Sequence, residues 1–561
     1  MRRGIALFAA LVCNFVAHPA RSQETSSAGT IQYELFADSP GEVYLRYLQS
    51  MGLVPLYPWS IRAFSPREID RLVPKDTVHP WVNRFRDHTS KLGPVRYSLI
   101  QPTTSFRYNS AFAYGSNDGP IWAGRGLTSA VQLGFQAAWG PVSLKVAPMA
   151  FRAENQYFSI RSTAKSENPL FGDPNSGGID RPQRFGNSPY SQLAPGETSL
   201  RVDLPFISAG ASTANQTWGP GQEFPVLLGN NAAGFPNLFV QTSEPVNIFI
   251  AKVHARVFWG ELFQSDYSPV TGPSHYYSKA EPGTKRFATG LVATAEPRGI
   301  PGLEVGGARF FHFIWPTSGI PASYFTEFLQ GFLKKNIAPD RIHDPRLPNG
   351  VDETGISSNE LVSVFARWVL PHSGFEIHGE YGREDHSFDL RDLTQEPDHS
   401  RVYSLGARKV FHLDSGAMTA ARMEIMNFQL PQLARYRGEG EIYVHGLIRQ
   451  GHTFEGQLLG ADAGVGTGAG SVVAVDHYTH SGSWTASWHR VVRQEDGDFT
   501  TVGIRNPRSI DVSHALGFET TRFMHRFDLT GGLTVVRELN RDFLRDQTNI
   551  NALIGVRYPL H

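Results

Sequence analysis

Charged side chains alternate with apolar ones along several segments of this chain, and they carry the most specific chemistry in the sequence. Lys252, His254 and Arg256 share one face of such a segment, and Arg367 and Arg422 occupy the polar faces of two others. Arginine contacts a carboxylate through two parallel hydrogen bonds, which suits an acidic ligand. Charged side chains also form hydrogen bonds with hydroxyl groups. These five residues are therefore candidates for binding a polar or acidic ligand.

The same polar faces carry carboxylates that offer a different explanation. Glu376, Glu380 and Glu424 face the same way as the basic residues, so opposite charges could pair and fill an interior. Glu376, His378 and Glu380 also follow one another on one strand face at about 6 to 7 Å, which could suit the carboxylate pair of a glycosidase. We favour a wall of ion pairs over a hydrolase here.

A second group of candidates lies in a segment rich in glycine, proline and asparagine. Trp218-Gly219-Pro220-Gly221 precedes Asn230 and Asn231. Glycine and proline fix an irregular backbone, amide side chains both donate and accept hydrogen bonds, and an indole ring offers an apolar contact surface. The segment predicts either a ligand-binding loop or a structural plug that folds into a larger domain.

Composition and motifs exclude several classes of function. The 561 residues carry 52 basic and 52 acidic side chains, so the basic excess of a nucleic-acid-binding protein is missing. The sequence has no His-Glu-x-x-His, Gly-x-Ser-x-Gly or phosphate-binding loop motif. It is therefore predicted to be no enzyme, and neither a cofactor nor a metal site is expected.

The N-terminus predicts export from the cytoplasm. Arg2 and Arg3, an apolar stretch and Ala20-Arg21-Ser22 form a secretory signal over residues 1–22. Removal of that signal also removes Cys13, the single cysteine, so the mature chain must be stable without disulfides.

Residues 23–93 are predicted to form a small helical module. Ser39-Pro40-Gly41-Glu42 and Ser65-Pro66-Arg67-Glu68 are capping boxes with proline at the first helical position, and a third helix is expected from Pro80 to Gly93. The apolar faces are too few for an independent core. The module is therefore expected to dock on a larger domain.

Residues 94–561 are predicted to form an all-β, antiparallel transmembrane barrel of about 18 strands (16–18). Apolar residues alternate over 10 to 13 positions, longer than ordinary strands, and short turns alternate with long connections. The connection 316–357 is expected to hold a helix. Tryptophans near the strand ends predict aromatic girdles: Trp122, Trp139, Trp259, Trp315, Trp368, Trp484 and Trp488.

The sequence resembles the capsule assembly Wzi family of outer-membrane proteins over nearly the whole mature chain. The resemblance implies an 18-stranded barrel with a periplasmic helical bundle, and a lectin-like role in attaching capsular polysaccharide to the cell surface. It adds Arg201 and Asp203 to the candidates. The similar stretches are Leu45-Arg46-Tyr47-Leu48-Gln49-Ser50-Met51-Gly52, Arg201-Val202-Asp203-Leu204, Trp218-Gly219-Pro220-Gly221, Pro225-Val226-Leu227-Leu228-Gly229-Asn230-Asn231-Ala232-Ala233-Gly234-Phe235-Pro236 and Val257-Phe258-Trp259-Gly260-Glu261-Leu262.

These expectations together predict a non-catalytic protein of the bacterial outer membrane that binds and organises or retains capsular or extracellular polysaccharide. Its expected partners are that polysaccharide, outer-membrane lipid and polysaccharide export machinery, and no nucleic acid. The alternatives are a porin or sugar-selective channel and, behind it, an envelope glycan hydrolase. The candidate ligand-binding residues are Arg201, Asp203, Trp218, Asn230, Asn231, Lys252, His254, Arg256, Arg367 and Arg422.

Overall fold

A single antiparallel sheet that closes on itself dominates the computed structural model. The predicted signal (residues 1–22) lies outside the described part of the chain. The structure describes residues 32–33, 36–73, 81, 84, 86–87, 89–161, 171–173, 179–270, 285–315, 319–333, 358–384, 387, 389–412, 417–429, 441–445, 448–463, 468–494, 510–542 and 545–559.

Eighteen strands form the barrel within the described residues, as predicted, and the last strand pairs with the first. The third and fourth strands are each interrupted by a short irregular stretch. The strands are β1 Val95–Asn109, β2 Gly126–Trp139, β3 Val142–Val146 and Met149–Ala153, β4 Tyr190–Ala194 and Ser199–Asp203, β5 Ile207–Ser212, β6 Asn237–Thr242, β7 Ala251–Phe263, β8 Lys285–Pro297, β9 Leu303–Ile314, β10 Asn359–Leu370, β11 Phe375–Glu384, β12 Arg401–His412, β13 Met418–Asn427, β14 Ala469–Thr479, β15 Gly482–Gln494, β16 Ile510–Phe523, β17 Asp528–Arg541 and β18 Arg545–Arg557.

The period-two pattern sets which side chains face the lumen. In β10, Val364 and Trp368 are exposed on the outer face while Ser363 and Arg367 are buried inside. Large apolar side chains stay exposed on strands around the barrel, as a lipid-facing belt requires: Leu133, Leu238, Val364, Ile377, Leu405, Met423, Val473, Leu516, Leu533 and Ile554.

The two ends of the barrel differ in the length of their connections. We call one the short-turn end, where the strands are joined by residues 140–141, 204–206, 243–250, 298–302, 371–374, 413–417, 480–481 and 524–527. At the long-loop end the strands are joined by residues 110–125, 154–189, 213–236, 264–284, 315–358, 385–400, 428–468 and 495–509, and by the brief connection 542–544. This asymmetry is typical of outer-membrane barrels.

Ahead of the barrel, the structure describes the α-helices α1 (Pro40–Ser50) and α2 (Pro66–Leu72). The Ser39 hydroxyl caps α1 by accepting a hydrogen bond from the Glu42 amide at 3.3 Å, and α2 begins with the predicted capping box. Among the described residues, no helix combines the length and the apolarity needed to span a membrane.

The prediction of a helix from Pro80 to Gly93 is wrong at its C-terminal end. Ser90–Leu92 pairs with the start of β1, because Gly93 adopts a positive φ of 59° and turns the chain back on itself. In the connection 315–358, the structure has a 3-10 helix at Ala322–Leu329, where the sequence predicted a helix. A third short helix, α3, spans Leu390–Gln395.

Candidate ligand-binding site

The lumen is filled by the chain itself. Residues 36–73, the N-terminal plug segment, and residues 213–236, the second plug segment, lie against inward-facing side chains of the strands. The apolar members of this packing include Trp218, Phe258, Phe310 and Tyr443, each with no measurable exposure. The interior is therefore a packed core with embedded ion pairs.

Ion pairs fasten the N-terminal plug segment to the wall. The Arg46 guanidinium of α1 donates to Glu376 of β11 at 2.6 Å and to the Pro220 carbonyl of the second plug segment at 2.7 Å. Glu304 of β9 accepts hydrogen bonds from the backbone amides of Trp59 at 2.9 Å and Ser60 at 3.0 Å. Each of these charged groups is buried, and each is paired across the boundary between the barrel wall and the N-terminal plug segment.

The arginines predicted on the polar faces of the strands help to hold the plug segments against the wall. Arg367 donates to Gln49 of α1 and, at 2.9 Å, to Glu376. Arg422 donates to Asp476 at 3.0 Å and to Glu223 at 2.5 Å. The arrangement matches the alternative in which inward charges pair and fill the barrel.

The basic residues of β7 lie in three different settings. His254 is buried, with Nε2 3.2 Å from Glu68 of α2 and Nδ1 2.6 Å from the Thr242 hydroxyl. Arg256 donates to Gln216 at 2.9 Å and stacks over a phenylalanine ring. Lys252 is exposed near the short-turn end.

The remaining candidates also have partners within the protein. Arg201 donates to Asp203 at 2.7 Å in β4, near the short-turn end. Trp218 is fully buried and donates through its indole nitrogen to Gln216 at 3.2 Å. The ligand-binding role of the ten candidate residues stays a prediction. Arg201, Asp203 and Trp218 form hydrogen bonds to other side chains of the protein in this structure.

The carboxylates considered for hydrolysis are inaccessible. Glu376 has no measurable exposure and is paired with Arg46 and Arg367. Glu380 is 4% exposed and lies beneath Gly219 of the second plug segment. A polysaccharide could reach neither group without unfolding the plug.

A cavity of about 240 Å³ opens instead at the long-loop end. Connections between strands form much of its wall, and the ends of β15, β16 and β17 complete it. It is lined by side chains of every class useful for sugars: the aromatics Phe112, Tyr114, Trp122 and Phe224, the amides Asn117, Gln183, Asn231 and Gln457, and the charged or titratable residues Asp173, Arg181, Glu223, Asp462, His489, Arg493, Glu538, Arg541 and Asp542.

The connection 110–125 presents the aromatic side of the cavity. Trp122 is half-buried, and its ring centroid lies 5.1 Å from that of Phe185, which supports the indole from behind. Burial raises the pKa of Tyr114 to about 12, so its hydroxyl stays neutral and can both donate and accept hydrogen bonds. An indole ring beside a neutral phenol is suited to a sugar's apolar face and hydroxyls.

Asn230 and Asn231 hold three connections together beneath this wall. Asn230 donates to the Asn117 carbonyl at 3.0 Å, and its own carbonyl accepts from the Gly119 amide at 2.7 Å. Asn231 donates to the Leu458 carbonyl at 3.3 Å. Among the ten predicted residues, Asn231 is the one that lines the cavity within the described part of the chain.

Sequence reasoning missed most of this cavity. Trp122 was expected in an aromatic girdle, whereas it lies in a connection and lines the cavity, because the chain folds inward after β1. Arg181, Asp462 and Arg541 come from connections or strand ends far apart in sequence. No local spacing could have grouped them, although the tryptophan in the Gly- and Pro-containing stretch 115–124 was a usable signal.

The fold and the site define a class: a closed transmembrane barrel whose lumen is packed and whose long-loop end carries a polar, aromatic cavity. No family model matches the sequence, and no curated protein matches it. Among solved structures it is similar to Wzi of Escherichia coli, an outer-membrane protein involved in group 1 capsule assembly and a carbohydrate-binding β-barrel. The TM-score is 0.58 at 14% identity, over 94% of this chain and 99% of that chain.

Two other outer-membrane barrels are similar at lower TM-scores. OpdQ of Pseudomonas aeruginosa gives 0.38 at 7% identity, and OccAB3 of Acinetobacter baumannii gives 0.40 at 7%; each comparison covers 82% of this chain and 98% of the other. The likeness to Wzi confirms the resemblance seen in the sequence at the level of the fold.

Proposed function

We propose that this protein lies in the outer membrane, where it binds capsular or extracellular polysaccharide at the cell surface and retains or organises it without catalysing a reaction. The cavity at the long-loop end is the observation that carries this proposal. In outer-membrane barrels the long loops face outward, so the cavity would face the polymer. The carbohydrate binding of Wzi, which shares the fold, supports the same function.

The packed lumen favours binding over conduction. A porin needs a continuous water-filled path, whereas Trp218, Phe258 and Phe310 lie fully buried across this interior. The short turns would face the periplasm, so the N-terminal plug segment would meet export machinery on that side.

A deletion strain tests the function in cells. Without the protein, polymer should still be made and exported but should appear in the medium, and plasmid-borne wild type should restore surface-bound polymer. The Trp122→Ala variant should fail to restore it, while the matched control Trp139→Ala, which changes an exposed tryptophan at the short-turn end, should succeed. Unchanged surface polymer in the deletion strain would overturn the proposal.

A further inference from the structure

The charges around the cavity are unequal. Among the described residues of its lining, the carboxylates outnumber the guanidinium groups by two: Asp173, Glu223, Asp462, Glu538 and Asp542 against Arg181, Arg493 and Arg541. The guanidinium of Arg422, which stands behind Glu223, is itself shared with Asp476. With every group in its usual charge state, the described lining therefore carries a net negative charge and an excess of carboxylate acceptors.

Each arginine of the lining is already engaged by carboxylates of the wall. Arg181 bridges Asp173 at 2.5 Å and Asp462 at 2.6 Å. Elsewhere in the lining, Glu538 pairs with Arg493 at 3.4 Å and with Arg541 at 3.2 Å. A carboxylate on a ligand would have to displace one of these partners and leave it beside like charge, which costs free energy.

Sugars without a carboxylate can bind without displacing these ion pairs. A hydroxyl donates to an ionised carboxylate in a charge-assisted hydrogen bond, which is stronger than a neutral one. A free amine on the sugar would add attraction to the excess negative charge. Trp122 and Tyr114 supply apolar and neutral polar contacts that do not depend on ligand charge.

We infer that the cavity takes a neutral or amine-bearing sugar residue of the polymer and discriminates against uronic acids. This inference rests on the proposed polysaccharide binding and narrows its ligand. It also departs from the expectation that arginines would hold an acidic ligand, since the arginines of the described lining are paired with carboxylates of the protein. Binding should accordingly change little with salt for a neutral sugar and weaken with salt for an amine-bearing one.

Chemical reduction of the polymer's carboxyl groups tests the inference. The detergent-purified full-length protein is titrated with the host's surface polysaccharide, before and after carbodiimide activation and borohydride reduction convert uronates to neutral sugars. Affinity should be unchanged or higher after reduction. Loss of binding upon reduction would overturn the inference.

A charge variant gives an independent sign. Asp462→Asn removes an acceptor and one negative charge, so the affinity for the polysaccharide should fall by about 3- to 10-fold. An acidic ligand would instead bind this variant more tightly, and that result would refute the inference. Asp266→Asn, which changes an exposed carboxylate in another long connection, is the matched control. Absence of any binding by wild type would instead count against the proposed function, so the two failures are distinguishable.

Discussion

Arg46 and Glu376 form a buried ion pair of 2.6 Å although 330 residues separate them in sequence. Arg46 belongs to α1 and Glu376 to β11, and Glu376 also accepts from Arg367 at 2.9 Å. The pair therefore joins the beginning of the described chain to the wall of the completed barrel. The N-terminal plug segment is an integral part of the barrel interior for this reason.

Removing one partner of this pair should destabilise the protein strongly. Arg46→Ala leaves Glu376 buried with one guanidinium fewer, which typically costs about 3–5 kcal/mol. Unfolding in urea after refolding into detergent measures the change. Arg71 lies in the same plug segment and forms an exposed ion pair with Glu244 of the short connection 243–250. Arg71→Ala should therefore cost at most about 1 kcal/mol. Equal effects of the two substitutions would contradict the fastening role.

Because the lumen is packed, we expect the protein not to conduct ions. In a planar bilayer the wild-type protein should give no stable conductance steps, while an open porin in the same membrane serves as the positive control. The reason is that apolar side chains of both plug segments fill the cross-section. Reproducible steps from the wild type would restore the channel as the leading function.

A buried histidine predicts loss of stability in acid. Burial lowers the pKa of His452 from 6.5 to about 4, and its Nε2 donates to the Leu227 carbonyl at 2.6 Å. The folded state therefore favours the neutral imidazole. The contribution of His452 to the free energy of unfolding is complete above pH 6.5 and is lost as the pH falls towards 4.

His452→Gln keeps a hydrogen-bond donor and removes the titration. Between pH 7.5 and 4.5, the wild type should lose about 2 kcal/mol more of its free energy of unfolding than this variant. Urea titrations at the two pH values measure the difference, because other groups titrate in both proteins. Identical losses would show that His452 is not held neutral by the fold.

Gly219 allows the second plug segment to pass over Glu380. Its φ is +86°, and a Cβ there would collide with the Glu380 carboxylate. Gly140 also has a positive φ, but a Cβ there would meet nothing within 4 Å. Gly219→Ala should therefore cost about 1–3 kcal/mol more than Gly140→Ala, measured by urea unfolding. Equal costs would mean that the plug can move away from the wall.

Much of the fold could be predicted from the sequence because side-chain alternation is a local signal. Arg367 was assigned to the polar face of its segment, and the structure buries it inside the barrel while its neighbours Val364 and Trp368 face outward. Gly93 was misassigned because a glycine with positive φ ends helices and turns hairpins equally well. The pairing of the following strand decides between them.

Much less of the candidate site could be predicted from the sequence. Inward orientation was correct for His254, Arg256 and Arg367, but their partners Glu68, Gln216 and Gln49 come from plug segments that alternation does not reveal. The cavity forms only after distant connections fold inward together. A charge that faces the lumen is therefore not evidence for a ligand until its partner is known.

Binding of the host's surface polysaccharide to the purified protein tests the central claim most directly. The account predicts saturable binding by the wild type and by Trp139→Ala, with at least about a tenfold loss for Trp122→Ala, since stacking on an aromatic ring and its support are removed together. Binding that is absent in the wild type, or that is equal in all three proteins, would contradict the assignment of polysaccharide binding to this cavity.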